Sequence, residues 1–145
     1  MSTVNFDHLP IVSATPSLVT IGTFDGVHLG HARLLRKAVE RAREAELTAI
    51  VLTFEPIPAQ VLRGDQFPGR ICSVAEKLRM LGSFGFDQVV VMEFDRDLAS
   101  HSPDDFMEAL VRATSLRELW IGESFALGKG RSGGVEQLAE IGERL

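Results

Sequence analysis

Cysteine occurs once in 145 residues, at Cys72, so no disulfide can close within the chain and no cysteine cluster can hold zinc. A reducing compartment fits that usage. Long apolar runs are missing too: no uninterrupted stretch approaches the ~20 residues needed to cross a bilayer. The start, Met1 to His8, carries neither a basic region nor an apolar core of the kind a secretory signal needs. No block of five like charges occurs and the net charge is −5, which speaks against a grip on duplex DNA through its phosphates. Total charge says little about one pocket, so a local anion site stays open. Internal repeats and low-complexity tracts are absent as well. These absences point to a soluble, cytoplasmic protein that binds neither nucleic acid nor membrane.

What is present is ordinary globular composition, with 45% hydrophobic and 24% charged residues. A chain of this length suits one domain and buries roughly two thirds of its unfolded surface. Four short apolar runs stand out: Leu18–Phe24, Thr48–Phe54, Gln88–Met92 and Leu116–Gly122. Near-continuous apolar runs mark strands covered on both faces, as in parallel sheets.

A helical pattern follows each run. In His31–Glu46, Leu34, Leu35, Ala38, Val39 and Ala42 form one stripe, with charged residues off it. Ser73 and Glu76 have capping-box spacing ahead of Leu78 and Leu81, with Gly82 or Gly85 as the stop. Ser102, Pro103, Asp104 and Asp105 read as an N-cap, a proline at the first helical position, and acids in the first turn. Val135–Leu145 holds a last apolar pattern, and the first 15 or so residues read as an irregular lead-in. Alternating strands and helices predict an α/β fold with a doubly wound, mostly parallel sheet.

The stretch that carries chemistry is Gly22-Thr23-Phe24-Asp25-Gly26-Val27-His28-Leu29-Gly30-His31. It lies between the first strand and the first long helix, where doubly wound sheets bind ligands. Glycines there let backbone approach a ligand closely, and the helix start aims free N–H groups and its positive end at the same place. Two histidines three residues apart add donors. The pattern is neither G-x-G-x-x-G nor a P-loop. Spacing alone leaves a phosphate cradle, a pair of metal ligands and a plain structural turn all open.

Gly22–His31 resembles the G-x-F-D-x-x-H-x-G-H signature of the nucleotidyltransferase superfamily, and its particular form resembles the prokaryotic bifunctional riboflavin kinase/FAD synthetase family. Four further stretches are similar to that family's motifs in the same order: Thr53-Phe54-Glu55-Pro56-Ile57-Pro58, Glu76-Lys77-Leu78, Ser102–Phe106, and Ile121-Gly122-Glu123-Ser124-Phe125 through Gly133. The resemblance runs from about Leu18 to Leu138. It departs at Ile57, where histidine is usual, at Ser124 for Asp or Asn, at Ala126-Leu127 for Arg-Phe, and at Gly134 for Asp. The family's second signature, an I-S-S-T-x-I-R-like segment, does not occur within the 145 residues. The resemblance thus implies one FMN adenylyltransferase-like domain over 1–145, incomplete at its C-terminus, with the riboflavin kinase domain absent.

The resemblance implies transfer of AMP from ATP to FMN, giving FAD and pyrophosphate, with Mg²⁺ on the nucleotide. His28 and His31 are then the catalytic candidates. Gly22, Thr23, Phe24, Asp25, Gly26, Gly30, Gly122, Lys129 and Arg131 are the nucleotide-side candidates. Pro56, Pro58, Ser124 and Phe125 are the flavin-side candidates. Asp25 reads equally as a turn residue, Lys129 and Arg131 as an exposed basic loop, and Phe54 and Trp120 as core. Two other functions compete: another cofactor-pathway nucleotidyltransferase of the same fold, and a shortened, non-catalytic flavin- or nucleotide-binding remnant.

Overall fold

The structure, a computed structural model, describes residues 4–24, 29–56, 69 and 73–121. Four strands, β1 (Ser17–Ile21), β2 (Thr48–Glu55), β3 (Gln88–Glu93) and β4 (Leu116–Trp120), form one sheet in the order β3-β2-β1-β4. All three pairings are parallel. The connections carry α1 (Leu29–Glu44), α2 (Val74–Gly82), α3 (Arg96–Ala99) and α4 (Pro103–Thr114). The expected doubly wound α/β sheet is therefore present. From β1 the chain winds out to β3, then returns to place β4 on the other side of β1, so the winding reverses between β1 and β4.

Alternation along each strand sends side chains to opposite faces. On one face Val19, Ile21, Ile50, Leu52, Phe54 and Met92 pack against Leu98 of α3 and Phe106, Met107 and Leu110 of α4. On the other face Leu18 and Ala49 meet Ala38 and Ala42 of α1, while Val51 joins Leu35 of α1 and Leu81 of α2. Helices thus cover both faces. Phe54 is buried core, as its apolar run implies; Trp120 is only half-buried.

The helix ends follow local chemistry. The Ser73 hydroxyl accepts the Glu76 N–H at 3.1 Å, and the Ser102 hydroxyl accepts the Asp105 N–H at 3.1 Å, so both predicted N-caps form. The first long helix runs from Leu29 to Glu44, two residues earlier at each end than its apolar stripe suggests. Its close is a Schellman turn without glycine. Leu47 N–H reaches Ala42 C=O at 2.8 Å, Glu46 N–H reaches Arg43 C=O at 3.3 Å, and Glu46 takes the left-handed φ of 59°. The lead-in is irregular, yet it is packed. Val4 pairs in parallel with Met92, Phe6 stacks on Phe106 at 5.6 Å, and Leu9 and Val12 rest on the α4-side core.

One exposed pair ties α1 to the entry of β3. Arg43 donates to Asp87 at 2.8 Å, and the same carboxylate oxygen accepts the Ala49 N–H at 2.8 Å. The Arg43 hydrogen bond, against modest desolvation and with help from the Ala49 amide, holds the Asp87 carboxyl below its ordinary 3.8. A carboxyl depressed on folding adds stability that is present above its unfolded value and is lost as pH falls through the folded one. The Tm gap between the parent and Asp87→Asn is therefore expected to be fully open at about pH 6 and to narrow steadily as pH falls below about 4. Thermal melts across that range check it, and a gap independent of pH would count against the assignment.

Candidate functional site at the carboxyl end of the first strand

The chain leaves β1 at Ile21, sooner than the apolar run to Phe24 suggests. Gly22 still donates its N–H to Leu52 C=O at 3.1 Å. Phe24 then adopts a left-handed φ of 51° and turns its ring inward, where it is 2% exposed and packed with Leu35, Val51 and Leu81. The ring lies over Gly22. A Cβ at that position would stand 2.7 Å from Phe24 Cζ and 2.9 Å from Cε1. Gly22 is needed here for space, because the aromatic ring occupies the room a side chain would take.

Residues Leu29 and Gly30 open α1, and His31 lies half-buried in its first turn. The His31 ring meets the Phe24 ring edge to face, with centroids 5.6 Å apart and an interplanar angle of 84°. Five candidates, Gly22, Thr23, Phe24, Gly30 and His31, therefore gather around one strand-to-helix turn at the carboxyl end of the sheet. Phe24 shapes that turn from the inside, as core. Pro56 follows the end of β2 on a cis peptide bond with Glu55 and is exposed. Asp25, Gly26, His28, Pro58, Gly122, Ser124, Phe125, Lys129 and Arg131 lie outside the described residues, as does the pattern at Val135–Leu145.

The residue that joins these parts, Lys77, lies in a stretch that the sequence analysis matched to a family motif without giving the lysine a role. Lys77, on α2, is 0% exposed. Its ammonium donates to Thr23 C=O at 2.9 Å and to Phe54 C=O at 3.1 Å, and pairs with the Glu55 carboxylate at 2.6 Å. Three N–H donors thus meet three acceptors. Thr53 adds its hydroxyl to the same Thr23 carbonyl at 3.1 Å. One signal in the sequence could have found it: Lys77 stands four residues before Leu81, which puts it on the buried face of its helix.

Among the described residues, the one grouping of metal-ligand types is Asp7, Asp97 and His101, with ligating atoms within 4.8 Å of one another. His101 Nε2 lies 3.6 Å from Asp7 and 3.8 Å from Asp97. Both acids are exposed, and the group shares no residue with the turn.

The family model for FAD synthetase matches residues 11–145. The chain belongs to the FAD synthetase family. The chain is 36% identical over 127 residues to the bifunctional riboflavin kinase/FMN adenylyltransferase of Buchnera aphidicola subsp. Acyrthosiphon pisum, covering 87% of itself and 41% of that protein. It is 37% identical over 126 residues to the protein of the same description from Escherichia coli K12, covering 86% of itself and 40% of the relative. The chain thus spans about two fifths of the length of these curated relatives. A solved structure described as a macrolide-efflux protein from Streptococcus pneumoniae matches with a TM-score of 0.78 at 25% identity, over 97% of this chain and 47% of that one. That description belongs to the other protein. Among the described residues no helix is long and apolar enough to cross a membrane.

Gly22→Ala is expected to destabilise by about 1–3 kcal/mol, the usual cost of overpacking a filled core. Because the clash is with one ring, Phe24→Leu should cost less in the Gly22→Ala background than alone. Denaturant unfolding of the parent, both single variants and the double variant measures this coupling. Strictly additive costs would show that the Phe24 ring does not set the glycine requirement.

Proposed function

We propose that the chain is an FMN adenylyltransferase, which transfers AMP from ATP to FMN to give FAD and pyrophosphate. The observation that carries this reading is the Gly22–Phe24 turn. In a chain of the FAD synthetase family, it delivers β1 directly to the N-terminus of α1, with His31 in the first helical turn.

A phosphate oxygen of FMN attacks the α-phosphorus of ATP, the bond to the bridging oxygen of the β-phosphate breaks, and pyrophosphate leaves. No protein nucleophile takes part, so catalysis is positioning and charge stabilisation. Free N–H groups and the positive end of a 16-residue helix favour an anion at the start of α1. His31 donates to the phosphates as charge builds on them, and His28 adds a second donor from three residues earlier. Gly22, Thr23, Gly26 and Gly30 shape the cradle, with Asp25 orienting the loop. Gly122, Lys129 and Arg131 complete the nucleotide side. Pro56, Pro58, Ser124 and Phe125 line the flavin side.

Mg²⁺ would be held mainly by ATP itself and would offset the charge that builds on the phosphates. The donor set fits a metal held mainly by the nucleotide: the buried carboxylate at the end of β2, Glu55, is already engaged by Lys77. A cytoplasmic setting, where ATP and FMN are at hand, goes with this reading.

The test is pyrophosphate release with ATP·Mg²⁺ and FMN, in a chain that carries the I-S-S-T-x-I-R-like segment. His31→Ala should keep the fold, since Gly30 and the backbone N–H groups of the helix start remain. Loss of a charge-stabilising donor costs ~2.7–4 kcal/mol in the transition state, so turnover should fall about 10²–10³-fold with a smaller change in ATP affinity. Near-normal turnover in the folded variant would remove His31 from the chemistry. No FAD formed by the parent would overturn the reading itself.

A further inference from the structure

Three of the motif stretches singled out in the sequence meet in one buried polar cluster. The turn opening the first motif supplies the Thr23 carbonyl. The end of β2 supplies the Thr53 hydroxyl, the Phe54 carbonyl and the Glu55 carboxylate. The second helix supplies the Lys77 ammonium. Lys77 is fully buried and Glu55 is 9% exposed. The cluster therefore acts on the site through backbone, and the backbone it holds is that of Thr23 and Phe54.

We propose that Lys77 is a positioning residue for the adenylyl transfer, its ammonium held by Glu55 and fixing the nucleotide-side turn to the flavin-side end of β2. The proposal rests on the function assigned above. The physical case is one of geometry. Gly22 is still anchored to the sheet by its N–H to Leu52 C=O, but Thr23 and Phe24 have left the ladder. Past that anchor the Thr23 carbonyl is oriented by two donors, Thr53 Oγ1 and Lys77 Nζ. Two bonds to one carbonyl, from two different elements, set the direction in which the turn leaves the strand. The same ammonium holds the Phe54 carbonyl one residue before the carboxylate it pairs with. Both roots are thus referred to one atom, Nζ. An in-line attack between two bound substrates demands that their cradles keep a common frame, and a shift of ~1 Å can cost about 10²-fold in rate.

The test uses a chain that carries both family signatures, with FMN and ATP·Mg²⁺ as substrates. Lys77→Met alone strands the Glu55 carboxylate and can fail to fold, so the informative protein is Lys77→Met/Glu55→Leu, which removes both charges. Glu55→Gln, which keeps an oxygen acceptor for Nζ, serves as the conservative control. The double variant is expected to melt close to the parent. Its turnover should fall roughly 10²-fold, with the ATP KM moving less than about threefold. Amide exchange at Gly22, Thr23 and Phe24 should speed up by about tenfold or more while α4 keeps its protection. Glu55→Gln should keep most of the turnover. A double variant that recovers both parental melting and parental turnover, or whose exchange at Gly22–Phe24 is unchanged, overturns the proposal and leaves the pair with a purely structural role. If the double variant also fails to fold, the decision rests on Lys77→Gln/Glu55→Gln, which removes both charges but leaves hydrogen-bonding groups in place. Turnover within about threefold of the parent in that folded protein overturns the proposal, and a fall in turnover with the Tm close to the parent's upholds it. A parent that makes no FAD sinks the assigned function, and the exchange measurement still decides the positioning claim.

Discussion

An ammonium group without water must find an oxygen for each of its three N–H donors, because the desolvation of an unpaired charge costs several kcal/mol. At Lys77 the three acceptors come from two different segments: the turn after β1 at Thr23, and the end of β2 at Phe54 and Glu55. The charge can be buried only when α2, β2 and the turn are all in their native places. That requirement couples three elements more tightly than apolar packing would, since apolar contacts tolerate small displacements and a stranded charge does not. Removing one partner of such a buried pair typically costs about 3–5 kcal/mol, whereas removing both is often neutral. The arrangement is therefore a source of geometric definition more than of stability.

That definition matters because of where the winding reverses. With the order β3-β2-β1-β4, the chain winds from β1 toward β3 and then places β4 on the opposite side of β1, so the space beyond the carboxyl ends of β1 and β4 is the reversal point at which doubly wound sheets bind ligands. The Thr20 hydroxyl bonds the Trp120 carbonyl at 2.8 Å and holds the two strands together just short of that space. On the far side of β1, the Lys77 cluster fixes the turn. The carboxyl end of β1 is thus held from both sides.

Strands and capped helices were readable because their causes are local. Apolar runs such as Thr48–Phe54 have no surface role to play, and Ser73 and Ser102 satisfy helix N–H groups within three residues of themselves. Boundaries that depend on tertiary context were not. The shift of α1 to Leu29–Glu44 reflects a left-handed close at Glu46, where glycine would have been the recognisable signal. The early end of β1 reflects an aromatic ring folding back over Gly22, which no propensity encodes. Of the site candidates, Gly22, Thr23, Phe24, Gly30 and His31 were named from the motif's resemblance, and the structure brings them to one turn. Lys77 stood in a motif stretch, but its role was not readable, because a lysine in a helix is by default a solvated residue, and its burial follows from where two other segments place their carbonyls.

The packed lead-in has a consequence for how the sheet can grow. As the outermost strand on its side, β3 would present a row of unpaired backbone groups. Val4 occupies that border at the carboxyl end, donating to Val91 C=O at 2.7 Å and accepting from Glu93 N–H at 2.8 Å, while the Gln88 side chain reaches back to Val12 C=O at 2.7 Å. These contacts blunt one margin of the sheet against intermolecular pairing. Among the described residues the other margin, β4, has β1 alone as a neighbour. Among the described residues, a strand added to this sheet thus finds its freer margin at β4, next to the reversal point and away from the flank blunted by the lead-in.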